Sequence, residues 1–194
     1  MTQQAQPGDP VAGDDVVALL TRQHGDIHDL FDEVRTCDGE ARRDAFQRLV
    51  RLLAVHETAE EEVVHPAART AFDGGEQVVD DRLEEERAAK EALSTLDEMD
   101  TDDPEFMPAL LALRDDVLRH ARAEERYEFA QLRHRTSPQR LAMMAKAVKA
   151  AEKMAPTRPH PGVETAAKNI AVGPVAALMD RTRDAIRQAM DREE

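Results

Sequence analysis

Tryptophan is missing from this chain, tyrosine occurs once, and aromatic residues make up only 3% of its 194 positions. A core must therefore be built from Leu, Val, Ala and Met, which suits helix packing better than sandwiches or barrels. Eight glycines are too few for the turns of a many-stranded protein. A single cysteine, Cys37, excludes an intramolecular disulfide and a Cys-rich zinc site, and fits a reducing cytosol. No uninterrupted apolar run approaches the roughly 20 residues of a membrane span. The segment Met1 to Gly13 is polar, carries Pro7 and Pro10, and lacks the apolar stretch of a secretory signal. Basic residues are outnumbered 40 to 26, a net charge of −14. A general nucleic-acid or anionic-membrane binder would carry the opposite footprint. A cytoplasmic, mostly helical protein with neither partner is the expectation.

Hydrophobic residues reach 41%, and they are arranged. Four segments repeat an apolar stripe at helical spacing. The first runs from Asp14-Asp15 through Leu20, Ile27 and Phe31 to Cys37-Asp38-Gly39. The second carries Phe46, Leu49, Leu53 and Val63 before Asp73-Gly74-Gly75. A third holds Val79, Leu83, Leu93 and Leu96. The fourth, with Pro104 in its first turn, holds Leu110, Leu113, Val117 and Tyr127. Short connections between long amphipathic helices make antiparallel neighbours, so 14–135 reads as an all-α, up-down-up-down four-helix bundle. Residues 1–13 read as a disordered tail. From Ser137 onward 10 basic residues face 7 acidic ones, a net of +3 that leaves −17 for the first 136. Region 136–194 thus reads as a basic helical extension, with too little apolar surface to fold alone.

The stripes are not purely apolar. The first passes through His24, the second through His56 and Glu60, the third through Glu86, and the fourth through His120 and Glu124. Residues i and i+4 share a helix face, so each His-x-x-x-Glu points two ligands at one spot. The heights agree as well. His24 lies 14 residues before the turn at Asp38 and His56 lies 18 after it; Glu60 lies 14 before Gly74 and Glu86 lies 12 after it. At ~1.5 Å per residue these groups fall within about a turn of one level. An unpaired buried carboxylate costs several kcal/mol, so a core does not collect them idly. Nitrogen and oxygen ligands without thiolate suit iron, manganese or zinc, and carboxylates from different helices favour a pair of metals about 3.5–4 Å apart. The order His-then-Glu excludes the ferritin-like di-iron bundles, which use Glu-x-x-His.

The segments His56-Glu57-Thr58-Ala59-Glu60-Glu61, with Pro66 beyond, and His120-Ala121-Arg122-Ala123-Glu124-Glu125 resemble the two core motifs of hemerythrin-like (HHE cation-binding) domains. His24 in Gln23-His24-Gly25-Asp26-Ile27 resembles that family's first-helix ligand. The resemblance covers about residues 14–135. It implies two non-haem iron ions, joined by an oxo or hydroxo bridge, with His24, His56 and His120 as terminal ligands and Glu60 and Glu124 bridging. It also implies a departure, because the family carries histidine on the third helix where Glu86 and Lys90 stand here. Glu86 can still ligate; a charged Lys90 can only pair with a carboxylate.

Three further residues are lesser metal-ligand candidates. His28 shares a face with His24 and could replace the missing third-helix histidine. Glu57 lies about 100° round the helix from His56, on the side expected to be solvated. Tyr127 falls one turn beyond Glu124 on the expected inner face. His65, His134 and His160 are off the seam and read as surface or loop residues. The function this implies is binding, or reaction with, a small oxygen-derived or nitrogen-oxide ligand: dioxygen, peroxide or nitric oxide. A metal-free helical interaction module, or an iron-storage or iron-sensing protein, also fits the sequence.

Overall fold

A computed structural model describes residues 15–154 and 174–192, and all the described regular structure is helical. The tail expected over 1–13, the proline-rich stretch from Pro156 to Pro161 and His160 lie outside the described residues. Helix α1 (Val16–Thr36) begins at Asp15, whose carboxylate accepts from the Ala18 N–H at 2.7 Å, the N-cap bond that satisfies an orphan donor of the first turn. Helices α2 (Gly39–Ala59) and α3 (His65–Ala71) form one rod through a π-helical segment, Glu60–Val64. Helix α4 (Gly75–Asp97) follows a left-handed residue, Gly74 at φ 82°. Helices α5 (Phe106–Ala123) and α6 (Ala130–Arg135) form another rod through a second π-helical segment, Glu124–Phe129. Pro104 is in the turn before this rod, not in its first turn. There Asp103 accepts from the Glu105 N–H at 2.8 Å, and that side-chain turn holds the chain out of the helix until Phe106.

These rods close a ring: α1 packs on α2 and α5, and α4 packs on α2 and α5. Helices α7 (Pro138–Met154) and α8 (Pro174–Asp191) pack on each other, with α7 against α1 and α8 against α2. Their apolar residues enter the same cores as the bundle's. One cluster joins Phe31, Phe46, Leu49 and Leu110 to Val175 and Leu178; the other joins Leu20, Val64, Phe129 and Leu132 to Leu141, Met144 and Ile186.

The two clusters divide the long helices between them. On α1, Leu20 belongs to one and Ile27 to the other; on the fourth rod, Val117 and Phe129 are so divided. Between them runs a band of buried polar residues: Gln23, His24, His56, Glu57, Glu60, His65, Glu86, His120, Glu124 and Glu128, each at most 7% exposed. Among the described residues no helix is long and apolar enough to cross a membrane.

Candidate metal centre

Glu60 and Glu124 stand at the middle of the polar band, each opening its π-helical segment and each wholly buried. His24, His56, Glu60 and Glu124 can bring one ligand atom each within 4.8 Å of one another. Glu57, Glu60, Glu86 and His120 form a second such group that shares Glu60 with the first. The His56 Nε2 lies 3.4 Å from Glu60, and the Nε2 atoms of His24 and His120 both lie 3.4 Å from Glu124. That is long for a hydrogen bond. It is the separation expected of two ligands that each reach about 2.0–2.2 Å to a common ion.

The outer nitrogen of each imidazole is engaged. Nδ1 of His24 donates to Glu125 at 2.8 Å, that of His120 to Glu85 at 2.9 Å, and that of His56 to the Gln23 side-chain oxygen at 2.9 Å. A proton fixed on Nδ1 leaves Nε2 free to face a cation, as in metal-binding histidines generally. The inner atoms are orphaned. Both oxygens of Glu60 and of Glu124, one of Glu57, and the Nε2 atoms of His24 and His120 are buried without a hydrogen-bond partner. Leaving so many buried polar atoms unsatisfied costs about 1–3 kcal/mol each, and more for charges, so the donor set fits a bound cation.

The ionisation balance agrees. Burial, reinforced by Glu124, Glu57 and Glu86, pushes the Glu60 carboxyl well above its ordinary range; burial and Glu86 push Glu57 to about 8. Burial would raise Glu124 too, but His120 and His24 hold it well below that range. For His120 burial opposes protonation, yet Glu124 and Glu85 outweigh it and lift the imidazole to about 11. Crowded carboxylates cannot all ionise without positive charge among them; protons supply it here, and divalent cations can replace those protons.

His24, His56, Glu60, Glu86, His120 and Glu124 are all brought together, and the heights read for the first four agree with this. Four other placements differ from expectation. The His28 side chain is 44% exposed, with Asp29 and the Arg114 guanidinium within 3.5 Å, and it does not reach the centre. Glu57, expected on the solvated side, is buried and joins the second group. His65, expected on the surface, is buried between Glu128, 2.9 Å from Nδ1, and Glu86, against Nε2. Burial works against its protonation, but those two carboxylates raise it to about 10. Tyr127, expected inside, is 55% exposed.

The π-helical segments explain the last two. The His65 N–H bonds to the Glu60 carbonyl, five residues back, so the turn holds one residue more than an α-turn. Everything beyond is displaced in phase by about 100°. His65 turns inward; Tyr127 turns outward, and Glu128 and Phe129 take its place. Phe129 then lies parallel to the His24 ring at 5.6 Å. The orienting residues had a weaker signal, the doubled glutamates. In Glu85-Glu86 and Glu124-Glu125 one carboxylate enters the centre and the other holds a histidine on a neighbouring helix. Lys90, as expected, pairs with carboxylates: Glu86 at 3.2 Å, and Glu61.

A family model for the hemerythrin HHE cation-binding domain matches residues 15–132. The chain belongs to that family. An uncharacterised hemerythrin-like protein of Schizosaccharomyces pombe is 28% identical over 134 residues, covering 68% of this chain and 66% of the relative. A DNA nickase of Nostoc sp. is 28% identical over 135 residues, covering 69% of this chain and 38% of that protein. The matched region thus spans less than two thirds of either relative. The crystal structure of a hemerythrin HHE cation-binding domain-containing protein from Mycobacterium kansasii, an Rv2633c homolog, shares the fold. It has a TM-score of 0.62 at 17% identity, covering 93% of this chain and 99% of that one. Like the family at large, this HHE domain is a cation-binding helical bundle.

Proposed function

We propose that the centre holds two iron ions and that the protein binds or reacts with dioxygen, peroxide or nitric oxide. The observation that carries this reading is the sharing of Glu60 between two four-residue ligand groups, His24/His56/Glu60/Glu124 and Glu57/Glu60/Glu86/His120. Two such groups joined by a carboxylate could hold a pair of ions, with Glu60 and Glu124, which lies within 3.4 Å of both His24 and His120, available to both. When bound, the iron pair supplies redox chemistry and open coordination for a small ligand.

The protein supplies access and restraint. A cavity of about 150 Å³ between α4 and α5 is lined by Glu57, Glu86, His120, Ala88, Ala89 and Val117, so it reaches the second ligand group. Its size admits a diatomic molecule or peroxide together with water. The nickase activity named for the Nostoc relative is not carried over. The match spans 38% of that protein, and the charge of −14 provides no phosphate-binding footprint.

Elemental analysis of protein expressed with iron supplied tests the centre, and the expected result is about two irons per chain. Anaerobic titration of the reduced protein with nitric oxide and with peroxide, followed by visible absorption, tests the reactivity. A fully folded, metal-free protein would overturn the reading in favour of a helical interaction module. Iron that is bound but inert to these ligands would favour storage or sensing.

A further inference from the structure

Gln23 is buried at 2% exposure, one residue before His24, and belongs to neither ligand group. Its side-chain oxygen accepts from His56 Nδ1 at 2.9 Å while its amide nitrogen donates to Glu152 Oε1 at 2.5 Å. Glu152 lies on α7, beyond the residues that match the family. The Arg51 guanidinium donates to the Glu152 main-chain carbonyl at 2.7 Å and ties that end of α7 to α2, near His56.

An amide can face a neighbour with either end. If the Gln23 NH₂ faced His56, the imidazole would have to accept at Nδ1 and carry its proton on Nε2, the atom that faces Glu60. A protonated Nε2 cannot bind a metal. An ionised carboxylate only accepts, so Glu152 draws the NH₂ to itself and turns the oxygen to His56. His24 and His120 need no such arrangement, because carboxylates hold their Nδ1 atoms directly.

We propose that Glu152, from the helix outside the family's matched region, is a positioning residue of the metal centre: through Gln23 it holds His56 in the one neutral tautomer that can ligate. The inference rests on the dinuclear reading above and gives α7 a part in the site.

The test uses the full chain, with Zn²⁺ as a diamagnetic probe, and compares wild type with Glu152→Leu and Glu152→Gln. Two quantities are read: Zn²⁺ affinities by competition with a chromophoric chelator, and the His56 Nδ1–H resonance by ¹⁵N-edited NMR. In Glu152→Leu one of two ions should bind about 10–100-fold more weakly and the His56 proton signal should be lost, while the other ion is held as before. Glu152→Gln, whose amide can accept from Gln23 but also donate to it, should fall between wild type and Glu152→Leu in both readouts. Unchanged affinity and an intact His56 signal in Glu152→Leu would overturn the proposal. So would equal weakening of both ions in both variants with a lowered melting temperature, which makes Glu152 a packing residue. If wild type itself binds no ion, the dinuclear reading falls first and the proposal with it.

Discussion

Glu86 decides the charge of the centre. On the di-iron reading proposed above, two ferrous ions would carry +4, and Glu57, Glu60, Glu86 and Glu124, all in the two ligand groups, would supply −4, for a sum of zero. A histidine in place of Glu86 would leave +1. Anionic ligands stabilise the higher oxidation state, and a dry site magnifies the difference. Lys90 tempers the effect: burial opposes its charge, but Glu86 and Glu57 outweigh burial and keep it ionised. Glu86→His should therefore raise the reduction potential, and its reduced form should survive oxygen longer than the wild type's. A potentiometric titration of both proteins checks this, and equal potentials would remove Glu86 from the ligand set.

At the scale of elements, the rods are set by ordinary helix chemistry and the site by its exceptions. Gly75 shows the first. A Cβ there would press into the Ala68 carbonyl oxygen, so the start of α4 meets α3 through bare backbone. Gly75→Ala should cost about 1–3 kcal/mol, the usual range for overpacking, seen as a lower denaturant midpoint. The four rods and the level of His24, His56, Glu60, His120 and Glu124 were legible in the sequence because periodicity and distance from a turn report face and height directly. His65 and Tyr127 were misread for one shared reason. A π-turn leaves no mark in residue type, and it breaks the period on which face assignment depends. Glu57 was misread because α4 and α8 pack on a face of α2 that the stripe alone leaves open. Gln23 was passed over because its partner, Glu152, is 129 residues away.

For the whole molecule, removing metal leaves a band of charge that pH can read. Glu57 has its folded pKa raised from 4.5 to about 8. The stability it contributes is thus complete below about 4.5 and is lost as pH rises through 8. Glu60, raised well above its ordinary range by burial and its acidic neighbours, acts in the same direction. His56 acts oppositely: burial and His24 depress it, so its contribution is complete above 6.5 and fades as pH falls below that. His65 and His120, raised from 6.5 to about 10 and 11, contribute fully below about 6.5 and lose those contributions as pH rises from there through 10 and 11. Between pH 6.5 and 8.5 only the falling terms change, so the metal-free protein should lose stability, at most about 1.4 kcal/mol per pH unit for each group involved. The metal-loaded protein, its carboxylates neutralised by cations, should melt higher and change less over that window. Melting curves with and without chelator check both statements.

The polar band has a kinetic consequence, because it lies between two apolar clusters, one knitting the bundle to α8 and the other knitting it to both α7 and α8. Loosening the helices at this waist costs polar contacts first, because most of the apolar contacts lie in the two clusters. The waist can therefore breathe as a sub-global event with a lower free energy than unfolding. For an ion held by His24 and His56, on the side away from the cavity, exchange should then follow the opening of the seam, while the lifetime of the fold follows the two cores on either side.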